Sequence, residues 1–558
     1  MTLTTPASTP DPDESAAHSP SMPGFVPFSS DRTEAYRSAG HWADQLLDTI
    51  LRDAAAQWPD RIAIADAHGS YRYDELDALA DRAAAGIAGL GINPGDRVLV
   101  QLPNSCEFAV ALFGLLRAGV IPVMCLPGHR LTELTHFAEV SGAVGLLIAD
   151  TAGGFDYREM ARRLVQAHPG LKHVLVHGEH AEFRSWAEVA RASSGVRPQF
   201  DCNPGTPALL LVSGGTTGAP KLIPRTHQDY VYNCTASAAL CELTGDDVYL
   251  VALPAAHNFP LACPGLLGAL SVGATTVFTT DPSPESAFAT IDKHRVTAAA
   301  LVPALAKLWA QACDWEPLAP KTLRLLQVGG AKLPAADAAL VRGALTPGLQ
   351  QVFGMAEGLL NYTRIGDPAE VIEGTQGRPL SADDEIRIVD EDGNEVPDGV
   401  EGELLVRGPY TINGYFNADA ANERSFSPDG FYRSGDRVRR FADGPRAGYL
   451  EVTGRIKDVI VRGGENVSAL DLEEHLLTHP SVCSAAAVAL PDQFLGEKVC
   501  AVLVFDGAPA TLADLHQHLE QRGVAAHARP DVLVPMPSLP TTAVGKIDKK
   551  AIIAALTG

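Results

Sequence analysis

The segment LLLVSGGTTGAPKLIPRTH (209–227) contains the residue types that bind phosphate groups in proteins. An apolar run leads into a glycine-rich loop, where the lack of side chains lets backbone N–H groups approach an anion closely. Hydroxyl groups and one lysine add donors, and the candidate residues are Ser213, Gly214, Gly215, Thr216, Thr217, Gly218 and Lys221. A flexible Gly/Ser loop is the alternative, but a strand that runs directly into so many donors favours an anion site.

Four later segments, taken together with this loop, resemble the motifs of the adenylate-forming superfamily, which includes acyl-CoA synthetases, luciferases and peptide-synthetase adenylation domains. The segments are QQVFGMAEG (350–358), GFYRSGDRV (430–438), GRIKDVIVRGGENVSALDLEE (454–474) and PTTAVGKIDKK (540–550). All five follow one another in the family's order and cover roughly residues 40–555. Chance agreement at five positions in order is negligible.

The resemblance implies one role for each key residue. Glu357 is expected to bind Mg²⁺, Asp436 to bind the ribose hydroxyls, Arg455 to face the nucleotide, Lys457 to act as the hinge and Lys546 to be the catalytic lysine. The chemistry suits these residue types, because a carboxylate that attacks the α-phosphate of ATP brings two anions together. A lysine between them neutralises charge in the transition state, and Mg²⁺ offsets the charge of the phosphates.

The resemblance also implies that the stretches VGGA (328–331) and VFGM (352–355) line the adenine slot. The residues concerned are Gly329, Gly330, Ala331, Val352, Phe353, Gly354 and Met355. ATP and Mg²⁺ are therefore the expected cofactors. In this family a second half-reaction passes the acyl group to a thiol, after the small C-terminal domain swings about the hinge.

The segment PAAHNFPLACPG (254–265) indicates the class of acid. In amino-acid-activating relatives it supplies an aspartate that pairs with the substrate ammonium. Here Asn258 takes that place, and its amide can bond a phenolic hydroxyl instead. The run of His257, Asn258 and Phe259 resembles aryl-acid ligases of siderophore biosynthesis, as do FGMAEGLLNYTR and TQGRPLSADDEI. The resemblance implies a catalytic role for His257 and substrate contacts for Asn258 and Phe259.

Cys263 indicates which aryl acid is preferred. Ligases for 2,3-dihydroxybenzoate carry a serine near this position, whereas a thiol is a poor hydrogen-bond partner and suits the plain ring edge of salicylate. The expected reaction is activation of salicylate to salicyl-AMP, followed by transfer to the phosphopantetheine thiol of an aryl carrier protein, as in mycobactin-type siderophore pathways. The alternatives are a 2,3-dihydroxybenzoate ligase, an aryl-CoA ligase and a degenerate binding module. Retention of Lys546, Glu357 and Asp436 argues against the last.

The elements that must position these residues are visible as alternating apolar and amphipathic segments. Residues 74–90 predict a helix that Asp74 caps, 97–102 a buried strand, and 106–117 another helix. Further apolar strands are predicted in four stretches: 209–212, 274–278, 298–302 and 323–330. Buried strands that alternate with helices predict an α/β fold with mixed or parallel sheets.

The pattern changes after about residue 380, where alternating residues and turn signals predict a hairpin or a small β-barrel subdomain. From 458 a helix at 468–478, a strand at 499–505 and a helix at 511–522 predict a small α+β domain. The predicted organisation is a disordered tail (1–30), an N-terminal domain for ATP and the aryl acid (31–456), and a mobile C-terminal domain with the catalytic lysine (457–558).

The composition narrows the range of partners. Of 558 residues, 44 are Lys or Arg and 67 are Asp or Glu, which gives a net charge of −23. Such a surface repels nucleic acid and anionic membranes. The nine cysteines form no CxxC, which favours reduced thiols in the cytoplasm. The run at 108–128 contains Arg117 and Pro122, so a buried helix and strand are expected there and no transmembrane segment.

Overall fold

The computed structural model describes residues 22–191, 198–213, 220–462, 465–522, 524–542 and 544–557. The middle of the predicted phosphate loop lies outside the described residues: it comprises Gly214, Gly215, Thr216, Thr217 and Gly218. The two ends of that loop, Ser213 and Lys221, are described.

The described residues include 18 α-helices. They are α1 (Ser30–Ser38), α2 (Thr49–Gln57), α3 (Tyr73–Gly89), α4 (Cys106–Arg117), α5 (Leu131–Ser141), α6 (Tyr157–Ala167), α7 (Trp186–Ala190), α8 (His227–Leu240), α9 (Asn258–Ala262), α10 (Gly265–Ser271), α11 (Pro284–His294), α12 (Pro303–Ala312), α13 (Ala335–Ala344), α14 (Ala369–Gly374), α15 (Asp419–Ser425), α16 (Ala469–Leu477), α17 (Leu512–Gln521) and α18 (Lys549–Thr557).

The same residues include 27 strands. They are β1 (Ile62–Ala65), β2 (Ser70–Arg72), β3 (Arg97–Gln101), β4 (Ile121–Met124), β5 (Gly145–Ala149), β6 (Thr151–Ala152), β7 (Phe155–Asp156), β8 (His173–His177), β9 (Arg184–Ser185), β10 (Pro207–Val212), β11 (Leu222–Thr226), β12 (Val248–Val251), β13 (Thr275–Phe278), β14 (Ala298–Leu301), β15 (Leu325–Gly329), β16 (Leu349–Met355), β17 (Gly358–Tyr362), β18 (Arg378–Pro379), β19 (Glu385–Val389), β20 (Glu401–Arg407), β21 (Tyr432–Arg440), β22 (Leu450–Arg455), β23 (Val459–Arg462), β24 (Glu465–Ser468), β25 (Val482–Asp492), β26 (Gly496–Phe505) and β27 (Val532–Pro535).

Two large sheets form the N-terminal domain. The nine-stranded sheet has the order β18-β17-β16-β15-β14-β12-β13-β1-β2, and the seven-stranded sheet has the order β11-β10-β4-β3-β5-β8-β9. Both have parallel centres and antiparallel edge pairs, such as β16 with β17 and β10 with β11. Their central strands are apolar and buried on both faces, as helix-covered parallel sheets require. The predicted α/β architecture is confirmed.

Helix α3 shows how closely the apolar periodicity of a segment predicts its secondary structure. The predicted helix over 74–90 is α3, Tyr73–Gly89, and its apolar side is buried. The expected cap differs, however. Asp74 lies in the first turn and accepts from the Arg72 guanidinium, while the Glu75 carboxylate accepts from the Arg72 N–H at 2.8 Å. The side chain that satisfies an N-terminal donor is therefore Glu75.

The segment after residue 380 is a four-stranded antiparallel sheet with the order β19-β20-β21-β22. Its first pair, β19 with β20, is the antiparallel hairpin that the sequence predicts, and the described pairings continue in line to β22. The chain then enters a C-terminal α+β domain. There β24, β23, β26 and β25 pair in that order, and β27 pairs with β26. Its core is formed by apolar residues of these strands and of α16 and α17.

Residues before 30 contribute to packing as well. The Phe28 ring lies edge-on to Trp42, with a 4.9 Å centroid separation. Trp42 in turn donates from Nε1 to the Pro409 carbonyl at 3.0 Å. The packed part of the described chain therefore begins before residue 30, inside the segment that the sequence predicts as tail. Across the described ranges, helices that are both long and apolar enough to cross a membrane are absent.

Candidate active site

Several of the predicted site residues lie where strands of the two large sheets end. Glu357 follows the end of β16, Gly330 follows β15, and the segment that contains His257 follows β12. In open parallel sheets, ligands bind in the crevice outside the carboxyl ends of the strands. Ser213 follows β10 of the second sheet. The fold thus brings together residues that are more than a hundred positions apart in sequence.

Ser213 and Lys221 close the base of the glycine-rich loop. The Ser213 N–H donates to the Lys221 carbonyl at 2.9 Å, and the Ser213 Oγ accepts from the Lys221 N–H at 2.8 Å. The Lys221 ammonium lies 5.0 Å from the centre of the Tyr415 ring. Burial lowers its pKa, and nearby Lys457 acts in the same direction, while Glu357 opposes both. An anion that binds beside Lys221 would stabilise the protonated, charged form of the lysine.

Two glycines of the predicted adenine slot are required by close approaches. A Cβ on Gly329 would lie 2.6 Å from the Val352 carbonyl oxygen and 3.2 Å from the Phe259 ring. Gly330 has φ +89°, and a Cβ there would lie 3.1 Å from Cε of Lys546. This region therefore contacts both the predicted acid segment and the predicted catalytic lysine.

The remaining residues of the predicted adenine slot differ in their exposure. Ala331 and Gly354 are exposed, Phe353 and Met355 are half-buried, and Val352 is buried. Strand β16 carries the last four and pairs with β17 through Val352–Tyr362 and Gly354–Leu360. The accessible positions are thus available to a flat ligand.

Asn258 is held by its neighbours on both sides of the amide. Its Oδ1 accepts from the Tyr230 hydroxyl at 2.8 Å, and its Nδ2 donates to the Cys263 sulfur at 3.3 Å. Burial raises the pKa of the Cys263 thiol to about 12, so the group is a neutral thiol at ordinary pH. Asn258 and Cys263, predicted to share a substrate pocket, are in direct contact, while Phe259 is buried beside Gly329.

His257 caps the short helix α9 and is neutral. Its Nδ1 accepts from the Phe259 N–H at 3.2 Å, which places the ring proton on Nε2. Burial lowers the pKa of His257 to about 3, and the charge of nearby Lys546 adds to the effect. The imidazole can therefore donate one hydrogen bond from Nε2 but carries no charge.

Glu357 is buried, and its charge acts on Lys221 and Lys546. Its Oε1 accepts from the Tyr415 hydroxyl at 2.8 Å, and its backbone carbonyl accepts from the Ile412 N–H at 2.8 Å. The described residues hold no cluster of three or more His, Cys, Asp or Glu that could bind a metal unaided. A single carboxylate suits Mg²⁺ that arrives with a triphosphate, since that ion usually takes one or two protein carboxylates and keeps phosphate and water ligands.

Asp436 and Arg455 face each other on adjacent antiparallel strands. They are register partners of β21 and β22, and Nε of Arg455 donates to Oδ1 of Asp436 at 2.8 Å. This contact raises the pKa of Arg455. Asp436 is buried while the Arg455 side chain is half-exposed. The carboxylate therefore lies deeper in the protein than the guanidinium that contacts it.

Lys546 reaches this site from the C-terminal domain. Its N–H donates to the Thr542 hydroxyl at 3.2 Å, and the preceding Gly545 has φ +78°. Burial lowers the pKa of Lys546 to about 8, with Arg455 acting in the same direction and Asp436 and Glu357 opposing. The ammonium is thus set among the groups predicted to hold ATP.

Lys457 lies between the two domains. It is exposed and sits in a single 3₁₀ turn, Ile456–Asp458, directly after β22 and before β23. Lys332 of the N-terminal domain contacts Glu451 at 3.4 Å and Glu474 of the C-terminal domain at 2.9 Å. An ion pair therefore spans the two sides of the predicted hinge.

Sequence reasoning missed several residues that shape the site. They are Tyr230 and Asn233 of α8, Arg225 of β11, and Tyr415. A usable sign was present in α8, because Asp229, Asn233 and Ser237 recur every four residues and so lie along one helix face. All three are buried, which is unusual for polar residues and indicates a structural or functional contact. No comparable sign precedes Tyr415.

The chain matches two family models. The model described as AMP-binding enzyme matches residues 51–416, and the model of the AMP-binding enzyme C-terminal domain matches residues 471–546. The second match contains Lys546 at its last residue.

Curated relatives and a solved structure are similar over nearly the whole chain. The salicyl-AMP ligase / salicyl-S-ArCP synthetase of Mycobacterium tuberculosis is 67% identical over 96% of this chain and 94% of its own. The 2,3-dihydroxybenzoate-AMP ligase of Bacillus subtilis is 46% identical over 96% and 98%. The Mycobacterium smegmatis MbtA apo structure is 79% identical, with a TM-score of 0.76 over 95% of this chain and 98% of its own. Since one family model covers most of the chain and these relatives cover nearly all of it, the chain belongs to the AMP-binding enzymes, the adenylate-forming superfamily.

Proposed function

We propose that this protein is a salicylate–AMP ligase that also transfers the salicyl group to a carrier protein. The salicylate carboxylate attacks the α-phosphorus of ATP, a new O–P bond forms, and pyrophosphate leaves. In the second half-reaction the phosphopantetheine thiol of an aryl carrier protein attacks the carbonyl carbon. AMP leaves, and the thiol proton is released.

The observation that carries the choice of acid is the contact between Asn258 and Cys263. The Asn258 amide can hydrogen-bond to a substrate hydroxyl, but it has no negative charge to pair with a substrate ammonium. The thiol beside it offers a substituent on the adjoining ring carbon little hydrogen bonding. Salicylate, with one hydroxyl ortho to the carboxylate, fits both features. The name of the M. tuberculosis relative supports the same acid and a carrier-protein acceptor.

The first half-reaction depends on charges that the site already holds. Lys546 would lie between the attacking carboxylate and the α-phosphate, where negative charge accumulates. Lys221 and the glycine-rich loop would bind the outer phosphates, and Asp436 would accept from the ribose hydroxyls. His257 would donate from Nε2 to an oxygen of the acid or phosphate.

Glu357 is the proposed Mg²⁺ ligand. Its buried carboxylate, oriented by Tyr415 and near Lys221, is a donor of the type that hard cations prefer. When bound, the ion would offset negative charge on the phosphates and on departing pyrophosphate.

The second half-reaction requires Lys546 to leave the site. We assign residues 31–456 to the domain that binds ATP and acid and residues 457–558 to the domain that moves, with Lys457 as the hinge. The exposed 3₁₀ turn that holds Lys457 supports this assignment, since a solvent-exposed connection can change its backbone angles with little loss of packing. Residues 1–30 are proposed as a tail whose last part packs on the large domain.

The proposed setting is the cytoplasm, within the synthesis of a mycobactin-type siderophore. All nine cysteines are free, as expected in a reducing compartment. The net charge of −23 disfavours the binding of nucleic acid, which is itself negatively charged.

Pyrophosphate exchange with ATP tests the function. The assay compares salicylate, benzoate, 2,3-dihydroxybenzoate and a set of amino acids. Salicylate should have the highest kcat/KM, and benzoate should be at least ~10-fold poorer, because the site loses its hydroxyl partner. A preference for 2,3-dihydroxybenzoate or for an amino acid would contradict the proposal. Thioester formation then compares a phosphopantetheinylated aryl carrier protein with CoA, and faster use of CoA would contradict the assigned acceptor.

A further inference from the structure

Arg225, on β11, is a fully buried arginine whose guanidinium contacts three separate segments of the chain. Its Nε donates to the Asp229 carboxylate at 2.9 Å, and its Nη1 donates to the Ala356 carbonyl at 3.0 Å. Its Nη2 donates to the Tyr410 carbonyl at 3.1 Å and to Oδ1 of Asn233 at 3.4 Å. The guanidinium carbon also lies 4.6 Å from the centre of the Tyr230 ring.

The ion pair with Asp229 does not by itself explain this residue. Removing both charges from water is costly, and apolar replacements of buried pairs are often as stable as the originals. Burial also raises the pKa of Asp229, with Arg225 opposing the change. The hydrogen bonds to backbone carbonyls of distant segments are a stronger reason, because an apolar residue could not make them.

One side of the guanidinium leads to the acid segment. Tyr230, beneath the guanidinium, donates its hydroxyl to Asn258 at 2.8 Å. Asn233, bonded to Nη2, donates from Nδ2 to the Ala262 carbonyl at 2.6 Å, next to Cys263. Two of the three α8 residues that touch Arg225, Tyr230 and Asn233, therefore hold the segment that carries Asn258 and Cys263.

The other side leads to Glu357. Ala356, whose carbonyl accepts from Nη1, is the residue directly before it. Tyr410, whose carbonyl accepts from Nη2, begins the segment in which the Ile412 N–H donates to the Glu357 carbonyl. That segment continues to Tyr415, which donates to the Glu357 carboxylate at 2.8 Å.

We propose that Arg225 is a positioning residue that couples the aryl-acid pocket to the metal-binding glutamate, through Tyr230 and Asn233 on one side and Ala356 and Tyr410 on the other. Its side chain is fully buried, so it acts through these neighbours. It fixes the relative position of the acid segment and Glu357, so that the carboxylate and the metal-held phosphates meet in reacting geometry. This inference rests on the proposed function.

Arg225→Lys is the direct test. Lysine keeps the positive charge beside Asp229 but replaces the planar fork with a single nitrogen, which cannot serve all these acceptors at once. We expect the half-saturating Mg²⁺ concentration in pyrophosphate exchange to rise at least ~3-fold, and the salicylate-to-benzoate ratio of kcat/KM to fall at least ~3-fold, the scale of coupling between contacting residues.

Arg117→Lys is the matched control. Arg117 is equally buried but bonds to the Asp77 carbonyl at 2.7 Å and the Asp81 carboxylate at 2.8 Å, outside the site. This variant should lower the melting temperature without moving either readout. If Arg225→Lys also lowers only the melting temperature, or moves only one of the two readouts, the coupling role is overturned.

A double-mutant cycle provides the test if Arg225→Lys does not fold. Tyr230→Phe keeps the ring under the guanidinium and removes the bond to Asn258, while Tyr415→Phe removes the bond to Glu357 together with a 3.0 Å contact to the Tyr432 hydroxyl. Coupling predicts that the fold-changes in kcat/KM do not multiply in the double variant, whereas simple multiplication would overturn it. These comparisons are made with whichever aryl acid the wild type uses best. A wild type that prefers another acid contradicts the proposed function, but the same comparisons still test the role of Arg225.

Discussion

Lys546 is the residue whose charge and domain position the two proposed half-reactions use. It lies beside Gly330 and near Asp436, yet it belongs to the C-terminal domain. Lys546→Ala should lower adenylation by about 10²–10³, as for loss of one preorganised donor. Transfer from supplied salicyl-AMP to the carrier thiol should be retained, because in the proposed cycle the lysine leaves the site before that step. Single-turnover assays of each half-reaction check this, and an equal loss in both would rule out the assigned role.

The lowered pKa of Lys546 predicts a basic limb in the pH profile of adenylation. The lysine is charged below its pKa and neutral above it, so kcat/KM, which reports the free enzyme, should fall as pH rises through about 8. Bound phosphates favour the charged form, so the limb in kcat should lie at higher pH. Lys546→Arg should move the kcat/KM limb beyond pH 10, since arginine stays protonated. A limb that stays in place in this variant would assign it to another group, such as Lys221.

Cys263 is predicted to disfavour a second ring hydroxyl. The buried thiol already contacts Asn258, and a 3-hydroxyl placed against it would lose water without full replacement, a penalty on the order of 1–3 kcal/mol. Cys263→Ser provides a stronger donor and acceptor in less volume. It should shift the kcat/KM ratio roughly 10-fold toward 2,3-dihydroxybenzoate. Specificity constants for both acids check this; an unchanged ratio with altered stability would mean that Cys263 is a packing residue only.

At the scale of elements, local sequence patterns predicted the bounds of single helices well, but they did not predict which elements contact one another. The helices α3, α4, α16 and α17 lie within two residues of their predicted bounds, because amphipathic periodicity is a property of each segment alone. The contact of α8 with α9 depends on how two helices pack after the sheet forms, and nothing in either segment specifies its partner. Motif resemblance supplied Asn258 and Glu357, whereas Tyr230, Arg225 and Tyr415 became visible only through packing.

The turn at Ile456–Asp458 is the element whose flexibility the proposed cycle requires. Lys457→Pro fixes φ near −65° at the pivot. Adenylation should fall less than transfer to the carrier thiol, because only the second step requires the domain to rotate. Rates of pyrophosphate exchange and of thioester formation, measured on one preparation, give the comparison. Lys457→Ala is the control for loss of the side chain alone. Intact transfer with lost adenylation would instead identify Lys457 as a nucleotide contact.

At the scale of the whole molecule, two domains are joined by charges as well as by the chain. Lys332, next to the predicted adenine slot, contacts Glu451 before the hinge and Glu474 on α16 after it. The Lys332 side chain is only 13% exposed, so solvent screens this pair less than an open surface pair. A rotation about Lys457 must separate Lys332 from Glu474 while Lys332 and Glu451 stay in one domain. The pair therefore favours the orientation in which Lys546 faces ATP.

Glu474→Gln should shift the balance between the two orientations toward transfer. Removing one charge weakens the link across the hinge, with an effect of about 2–5-fold, the scale of partly exposed ion pairs. Adenylation should slow by that factor, while transfer from supplied salicyl-AMP should be unchanged or faster. Added salt should slow wild-type adenylation in the same direction and have less effect on the variant, since the screened pair is already absent. Glu520→Gln removes a charge from a pair with Arg529 inside the C-terminal domain and should leave the ratio of the two rates unchanged. If Glu474→Gln slows both half-reactions equally, the pair stabilises the fold without biasing the orientation of the domains.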